Sequence, residues 1–124
     1  MHFDLLHQDS QTKARLGRLH TDHGTIEHIL PENPSALWDE SFNPDRQKDF
    51  IYRLGNLVLL EPSINRQCQN GSFEEKQSQY GRSNYVTANA LGQIDQANWS
   101  PATLEQRQQH MAQRAAHVWR SDFA

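Results

Sequence analysis

Ile26-Glu27-His28-Ile29-Leu30-Pro31, and further on Leu54-Gly55-Asn56-Leu57-Val58-Leu59-Leu60, are the stretches on which the fold turns. The first belongs to a segment, 24–30, that starts at Gly24, carries β-branched and aliphatic residues and stops at Pro31, which cannot donate to a strand ladder. It predicts a short strand. The second is an apolar run entered through Gly55 and closed before Pro62, the pattern of a buried strand behind a tight turn. Between them, Glu32 to Asn43 predicts an irregular loop with one helical turn, held down by Trp38 and Phe42 four residues apart. A helix follows, with Asn43 as cap, Pro44 at its first position and Phe50 and Ile51 facing inward.

Working outward, Ser63 to Cys68 is helical and Asn70-Gly71 marks a turn or helix stop. Ser72-Phe73-Glu74-Glu75 has the form of a capping box and opens a helix to about Tyr80. Ser100-Pro101 opens a final helix on which Leu104, Met111, Ala115, Val118 and Trp119 share one stripe, read as core. The order strand, long insert, strand, helix, with further helices around it, predicts an α+β domain over residues 23–120. Residues 1–22 show no sustained period, although Leu16 and Leu19 share a helical face, and form a loosely held lead-in.

With 124 residues, 35% of them hydrophobic, the chain has enough apolar surface for one modest core. The run Leu57 to Leu60 is far too short to span a bilayer, and no basic region followed by a long apolar segment opens the chain, so the expected location is the cytoplasm, away from membranes. The lone cysteine, Cys68, excludes an intramolecular disulfide and a Cys-x-x-Cys zinc knuckle, and is read as a helix-surface or core residue. A formal net charge of −3 argues against a broad electrostatic footprint on nucleic acid, since clustered Lys and Arg supply most non-specific affinity. Binding to DNA then calls for a metal ion, a local basic face of Arg66, Lys76, Arg82 and Arg107, or a partner subunit.

Phosphodiester hydrolysis needs a base to deprotonate water, a cation to neutralise charge on the phosphate oxygens, and oxygen ligands to hold that cation. Glu27 and His28 supply a carboxylate and a base side by side. Neighbours in a regular strand point to opposite faces, so both serve one site only where the strand ends or distorts, and Pro31 marks such an end. Asn65, at the start of the helix after the second strand, offers another oxygen. Taken alone, a histidine after a glutamate in an apolar segment is more often structural than catalytic.

The two quoted stretches taken with Asn65, Asn70, Phe73 and Lys76 change that weighting, because together they resemble the HNH nuclease domain at the C-terminus of GmrSD-type modification-dependent restriction enzymes. That family shares a histidine–x–x–proline motif, a Leu-Gly-Asn-Leu segment and a downstream asparagine. The resemblance runs from Thr25 to Arg120: Phe73, Lys76, Tyr80 and Ser83 match a phenylalanine–lysine–tyrosine–serine stretch, and Trp99, Arg107 and Trp119 a closing helical signature. It implies a ββα-metal finger in which His28 is the general base, Glu27 and Asn65 hold the metal, and Asn56 holds the His28 loop. Glu27 stands where many HNH nucleases carry Asp. The implied activity is a metal-dependent DNA endonuclease in restriction of phage or foreign DNA. Its cofactor is Mg2+, or Mn2+, and Lys76, Arg107 and Arg66 are phosphate contacts. Family members carry a large N-terminal domain for nucleotide binding and targeting, which makes a separate targeting, NTP-hydrolysing subunit an implied partner alongside DNA.

His110 with His117, and His20 with His23, have helical spacing but no oxygen or sulfur partners nearby in sequence, and are read as surface residues. Trp38 and Trp99 can stack on bases, but anchoring of core or loop is the commoner role for such residues. The rival reading from another class is a catalytically silent DNA- or protein-binding subunit of a restriction complex. An RNase or toxin nuclease shares the site, and nothing in the sequence reads a 2′-hydroxyl.

Overall fold

In the computed structural model, residues 23–95 and 98–123 are described, with side chains to Val118. The lead-in 1–22, including Leu16, Leu19 and His20, and the side chain of Trp119 lie outside the described residues. Strand β1 (Thr25–His28) pairs antiparallel with β2 (Leu57–Leu60), in the register Thr25 with Leu60 through His28 with Leu57. The Ile29 amide extends the pairing by donating to Asn56 O at 2.9 Å. β1 is shorter than the segment 24–30, because Ile29 and Leu30 are both completely buried and alternation has already ended.

β2 is one-sided. Val58 and Leu60 are buried while Leu59 is 45% exposed, so the strand expected to be buried is buried on one face. Two strands make a sheet with one covered face, and period-2 alternation sends Leu59 to the other.

The insert between the strands contains two short 3-10 turns, Ala36–Trp38 and Pro44–Arg46, then α1 (Lys48–Ile51). Asn43 caps as its sequence predicts, its Oδ1 accepting from Asp45 N at 2.9 Å. A further 3-10 turn, Leu54–Asn56, feeds β2. Next comes α2 (Pro62–Cys68), begun by Pro62 at its first position, a residue ahead of the predicted start. Its stop is Gln69, held at φ 39°, rather than Gly71, so the strained left-handed position falls on a residue with a long polar side chain. The capping box of α3 (Phe73–Tyr80) is complete: Glu75 N donates to Ser72 Oγ at 3.2 Å and Ser72 N to Glu75 Oε1 at 3.1 Å.

Helix α4 (Val86–Gln93) carries no strong sequence signal: Tyr85 does not cap it through a side chain, and only Ala88 and Leu91 of it are buried. It is placed by tertiary contacts. Glu61, at the end of β2, accepts from Ser83 Oγ at 2.6 Å and Asn84 N at 2.9 Å and fixes the connection before it.

The last helix, α5 (Pro101–Phe123), leans on the Leu54–Asn56 turn. Gly55 permits this approach, because a Cβ there would stand 2.5 Å from Leu104 O and 2.8 Å from Gln108 Cβ. Of the described side chains in the stripe read as core, Leu104 is fully buried, Met111 is half-buried, and Ala115 and Val118 are exposed. A helix of 23 residues extends about 34 Å, while the contacts to the Gly55 turn involve Leu104, Arg107 and Gln108. The core gathers Trp38, Phe42, Leu60, Phe73, Tyr80, Trp99 and Leu104 between the sheet and the helices. Among the described residues no helix is long and apolar enough to cross a membrane.

Candidate functional site

At the end of β1 the chain turns into a cleft of about 170 Å³ whose walls include Glu27 and His28 from the strand, Pro31 and Glu32 from the loop after it, and Asn65 and Gln69 from α2 and its terminus. Glu27, His28 and Asn65 are thus brought together, from positions up to 38 residues apart (65 − 27). Both residues lie in the paired part of β1, where Glu27 sends its carboxylate inward to Lys76 and Tyr80 and His28 holds the strand's last position, and both line the cleft.

Asn56 stands behind that loop, not in the cleft. Fully buried, it accepts at Oδ1 from Leu30 N (2.8 Å) and Trp99 Nε1 (3.0 Å), and donates from Nδ2 to Leu30 O (3.0 Å) and Ile51 O (2.9 Å). Its amide therefore fastens both polar groups of the Leu30 backbone, two residues beyond His28. With both acceptor and both donor positions used and no exposed surface, Asn56 takes no direct part in the cleft. Trp99, read as an anchor, supplies one of its bonds.

Glu27 is 5% exposed and its Oε2 accepts from Lys76 Nζ at 2.9 Å and Tyr80 OH at 2.6 Å. Lys76, at 0% exposure, also donates to His28 O (2.8 Å) and Ile29 O (3.0 Å). An ammonium has three protons, and all three are committed. Lys76 is thereby corrected from a phosphate contact to an internal strut, and burial, partly offset by Glu27, pulls its pKa down. Burial, followed by the Glu27 charge, pushes the Tyr80 hydroxyl well up, and the same two causes push the buried Cys68 thiol up to about 12. No N–H or O–H group among the described residues donates to Glu27 Oε1, and Glu27 is one of the residues lining the cleft.

Arg107, expected as a phosphate contact, is not part of the cleft wall. Its Nη1 donates to Gly55 O at 2.9 Å and Leu57 O at 2.8 Å, tying α5 to the start of β2, and its remaining exposed surface lies in a second groove, between α4 and α5. Burial lowers its pKa. Arg66 is exposed on α2, next to Asn65 in the chain.

Asn65 is oriented from the strand: Nδ2 donates to Thr25 Oγ1 at 2.9 Å and Ile26 O at 3.3 Å, while Thr25 Oγ1 donates to Leu60 O at 2.9 Å. With the amide nitrogen so engaged, Oδ1 is left without a protein donor among the described residues and lines the cleft. Asn65 lies in the middle of α2, not at its start.

His28 has a side chain 17% exposed and packs edge-on against Tyr52, with ring centroids 5.5 Å apart at 84°. Its Nδ1 lies 3.8 Å from Glu32 Oε1, and Tyr52 OH donates to Glu32 Oε2 at 2.8 Å. That hydrogen bond and the Glu32 charge raise the Tyr52 pKa. Glu32, Tyr52 and Gln69 escape a reading by motif, although Glu32 follows the His28–Pro31 motif directly and is the legible one of the three.

The oxygen donors offered to a hard divalent cation are Glu27 Oε1 and Asn65 Oδ1, with Glu32 and Gln69 on the same wall. Two oriented oxygens without protein donors suit such an ion, which completes its shell with water or phosphate. Among the described residues no cluster of three His, Cys, Asp or Glu side chains is placed to hold a metal. His110 and His117 are exposed on α5, and Trp38 and Trp99 are 3% and 2% exposed, so neither tryptophan presents a face to a base.

The site is thus that of a small α+β domain with an imidazole, a carboxylate and an amide oxygen on one cleft. The family model described as GmrSD restriction endonucleases, C-terminal domain, matches residues 3–114, and the chain belongs to that family. The match takes in most of the segment that the sequence sets apart as a lead-in. No curated protein and no solved structure matches the chain.

Proposed function

We propose that the chain is a divalent-cation-dependent DNA endonuclease domain of the HNH, ββα-metal type, in which β1, β2 and α2 are the finger. The observation that carries this reading is the convergence of Glu27, His28 and Asn65 on one cleft whose loop is bolted from behind by Asn56. His28, as neutral imidazole, takes a proton from the attacking water. Glu27 and Asn65 hold the cation through Oε1 and Oδ1, with Lys76 and Tyr80 orienting the Glu27 carboxylate from the far side. The bound Mg2+ or Mn2+ supplies neutralisation of charge on the phosphate oxygens.

Substrate grip is the weaker half of the machinery. Lys76 is spent inside the protein and Arg107 is tied through Nη1 to Gly55 and Leu57 away from the cleft, which leaves Arg66, next to Asn65 in the chain, as the exposed one of the three, on a chain of net charge −3. A separate targeting, NTP-hydrolysing subunit that brings DNA to the domain, in the cytoplasm and in restriction of foreign DNA, fits that economy of charge. The same economy favours the second reading, a silent DNA- or protein-binding subunit.

Nicking of supercoiled plasmid separates the two, with Mg2+, Mn2+ or chelator present and His28→Ala alongside. Metal-dependent nicking that rises with pH and vanishes in the variant establishes the nuclease. Intact plasmid with the wild type under every condition, repeated on DNA carrying modified bases, transfers the weight to the silent module.

A further inference from the structure

The general base of the proposed nuclease has a neighbour that the sequence motif does not include. Glu32 follows Pro31, so the chain reverses between His28 and Glu32 and brings the carboxylate back beside the imidazole, with Oε1 3.8 Å from Nδ1. The same carboxylate is held at its other oxygen by Tyr52 OH, 2.8 Å away, and the Tyr52 ring closes the arrangement by standing edge-on to His28 at 5.5 Å. Tyr52 reaches this position from the residue directly after α1, twenty residues downstream of Glu32. These two residues make no other side-chain hydrogen bond among the described residues. Tyr52 is 66% exposed and contributes little to the core. A large exposed aromatic whose hydroxyl and ring both go to one loop beside the cleft is poorly explained by packing.

We propose that Glu32 and Tyr52 are positioning residues that set the tautomer and the ring orientation of His28. A carboxylate facing Nδ1 favours the proton on that nitrogen, and a neutral imidazole with Nδ1–H has its lone pair on Nε2. Nε2 is then the atom that accepts the proton from water, and the ring is kept from turning by the Tyr52 edge on one side and Glu32 at Nδ1. The tyrosine fixes the carboxylate, which otherwise rotates freely in solvent. The Nδ1 partner is thus a side chain on the site's own loop, so it can be removed without disturbing the Asn56 clamp behind it.

This inference rests on His28 being the base, and its first test does not require cutting. In 15N-labelled protein at a pH where imidazole side chains are neutral, long-range proton–nitrogen correlation spectra report which nitrogen of His28 carries the proton. The expected result is Nδ1–H in the wild type, and a shift of the population towards Nε2–H in Glu32→Ala and, less completely, in Tyr52→Phe. Both sites are exposed at the surface, and Tyr52→Phe keeps the ring, so the fold survives. A wild-type His28 protonated at Nε2, or a tautomer that ignores both substitutions, overturns the proposal. In the plasmid assay, Glu32→Ala is expected to lower kcat about 10-fold with KM nearly unchanged, and Glu32→Gln, whose single amide oxygen can face Tyr52 OH or Nδ1 but not replace both carboxylate oxygens, to recover only part of it. A wild type that never nicks but shows the Nδ1–H tautomer defeats the nuclease reading and leaves the geometry of the clamp standing. A nicking wild type whose Glu32→Ala variant is unimpaired does the reverse.

Discussion

Lys76 Nζ stands 2.9 Å from Glu27 Oε2 in an ion pair whose side chains are 0% and 5% exposed. The pair joins α3 to β1 across 49 residues of sequence and spends its remaining protons on the carbonyls of His28 and Ile29. A basic residue in a nuclease family invites assignment to phosphate. Here it holds up the strand end on which His28 and Glu27 sit.

Lys76→Met leaves the Glu27 carboxylate buried without its counter-charge, and removing one partner of such a pair costs about 3–5 kcal/mol. Urea unfolding should show this loss directly. A Lys76→Met protein with unchanged stability and weakened DNA binding would instead make the lysine a substrate contact.

Asn56→Ala strips partners from Leu30 N, Leu30 O, Ile51 O and Trp99 Nε1 in a fully buried place. Buried polar groups left unpaired cost about 1–3 kcal/mol each, and partial relaxation keeps the total near the cost of two. The expected loss is about 3–5 kcal/mol by equilibrium unfolding, accompanied by loss of nicking because the His28 loop is no longer held. Full nicking activity in a folded Asn56→Ala protein would remove the clamp from the mechanism.

Gly55→Ala places a methyl 2.5 Å from Leu104 O, a backbone atom that cannot step aside without moving α5. Overpacking of this kind costs about 1–3 kcal/mol, and the displacement of α5 also lengthens the Arg107 bonds to Gly55 and Leu57. Gly81→Ala, whose nearest contact is 3.6 Å, is the control and should be close to neutral in thermal unfolding.

Cys68 provides a prediction at high pH. Its folded pKa, about 12, lies above its ordinary value of 9.0 because the thiol is buried beside Glu27. A folded pKa raised above the unfolded one gives a contribution fully present below the unfolded value and lost as pH rises through the folded one. Stability should therefore fall between pH 9.0 and about 12, and Cys68→Ala should flatten that decline in urea titrations run at successive pH values. Tyr80, raised for the same reason, adds to the slope above its ordinary value of 10.0. In the native protein the thiol should resist a disulfide reagent at pH 8 to 9, about where free thiols titrate, and react once urea is added.

Local signals carried much of the architecture. A β-branched run between Gly24 and Pro31, an aliphatic run between Gly55 and Pro62, an Asn43-Pro44 start and a Ser72–Glu75 box each state their own conformation, since turn chemistry, proline geometry and capping act within a few residues. By themselves they determined the two strands and the helices around them other than α4, and the motif containing His28, with Asn65 at its spacing, marked residues that the fold brings to one cleft. Only the tertiary structure decided the rest, because it depends on partners distant in sequence. Helix α4 forms where packing and Glu61 place it, and the stripe of α5 past Leu104 extends beyond the body it was expected to fill. Lys76 reads as a surface cation until Glu27, 49 residues away, comes within 2.9 Å of it. Desolvation and pairing are properties of a folded neighbourhood, and no spacing along the chain records them.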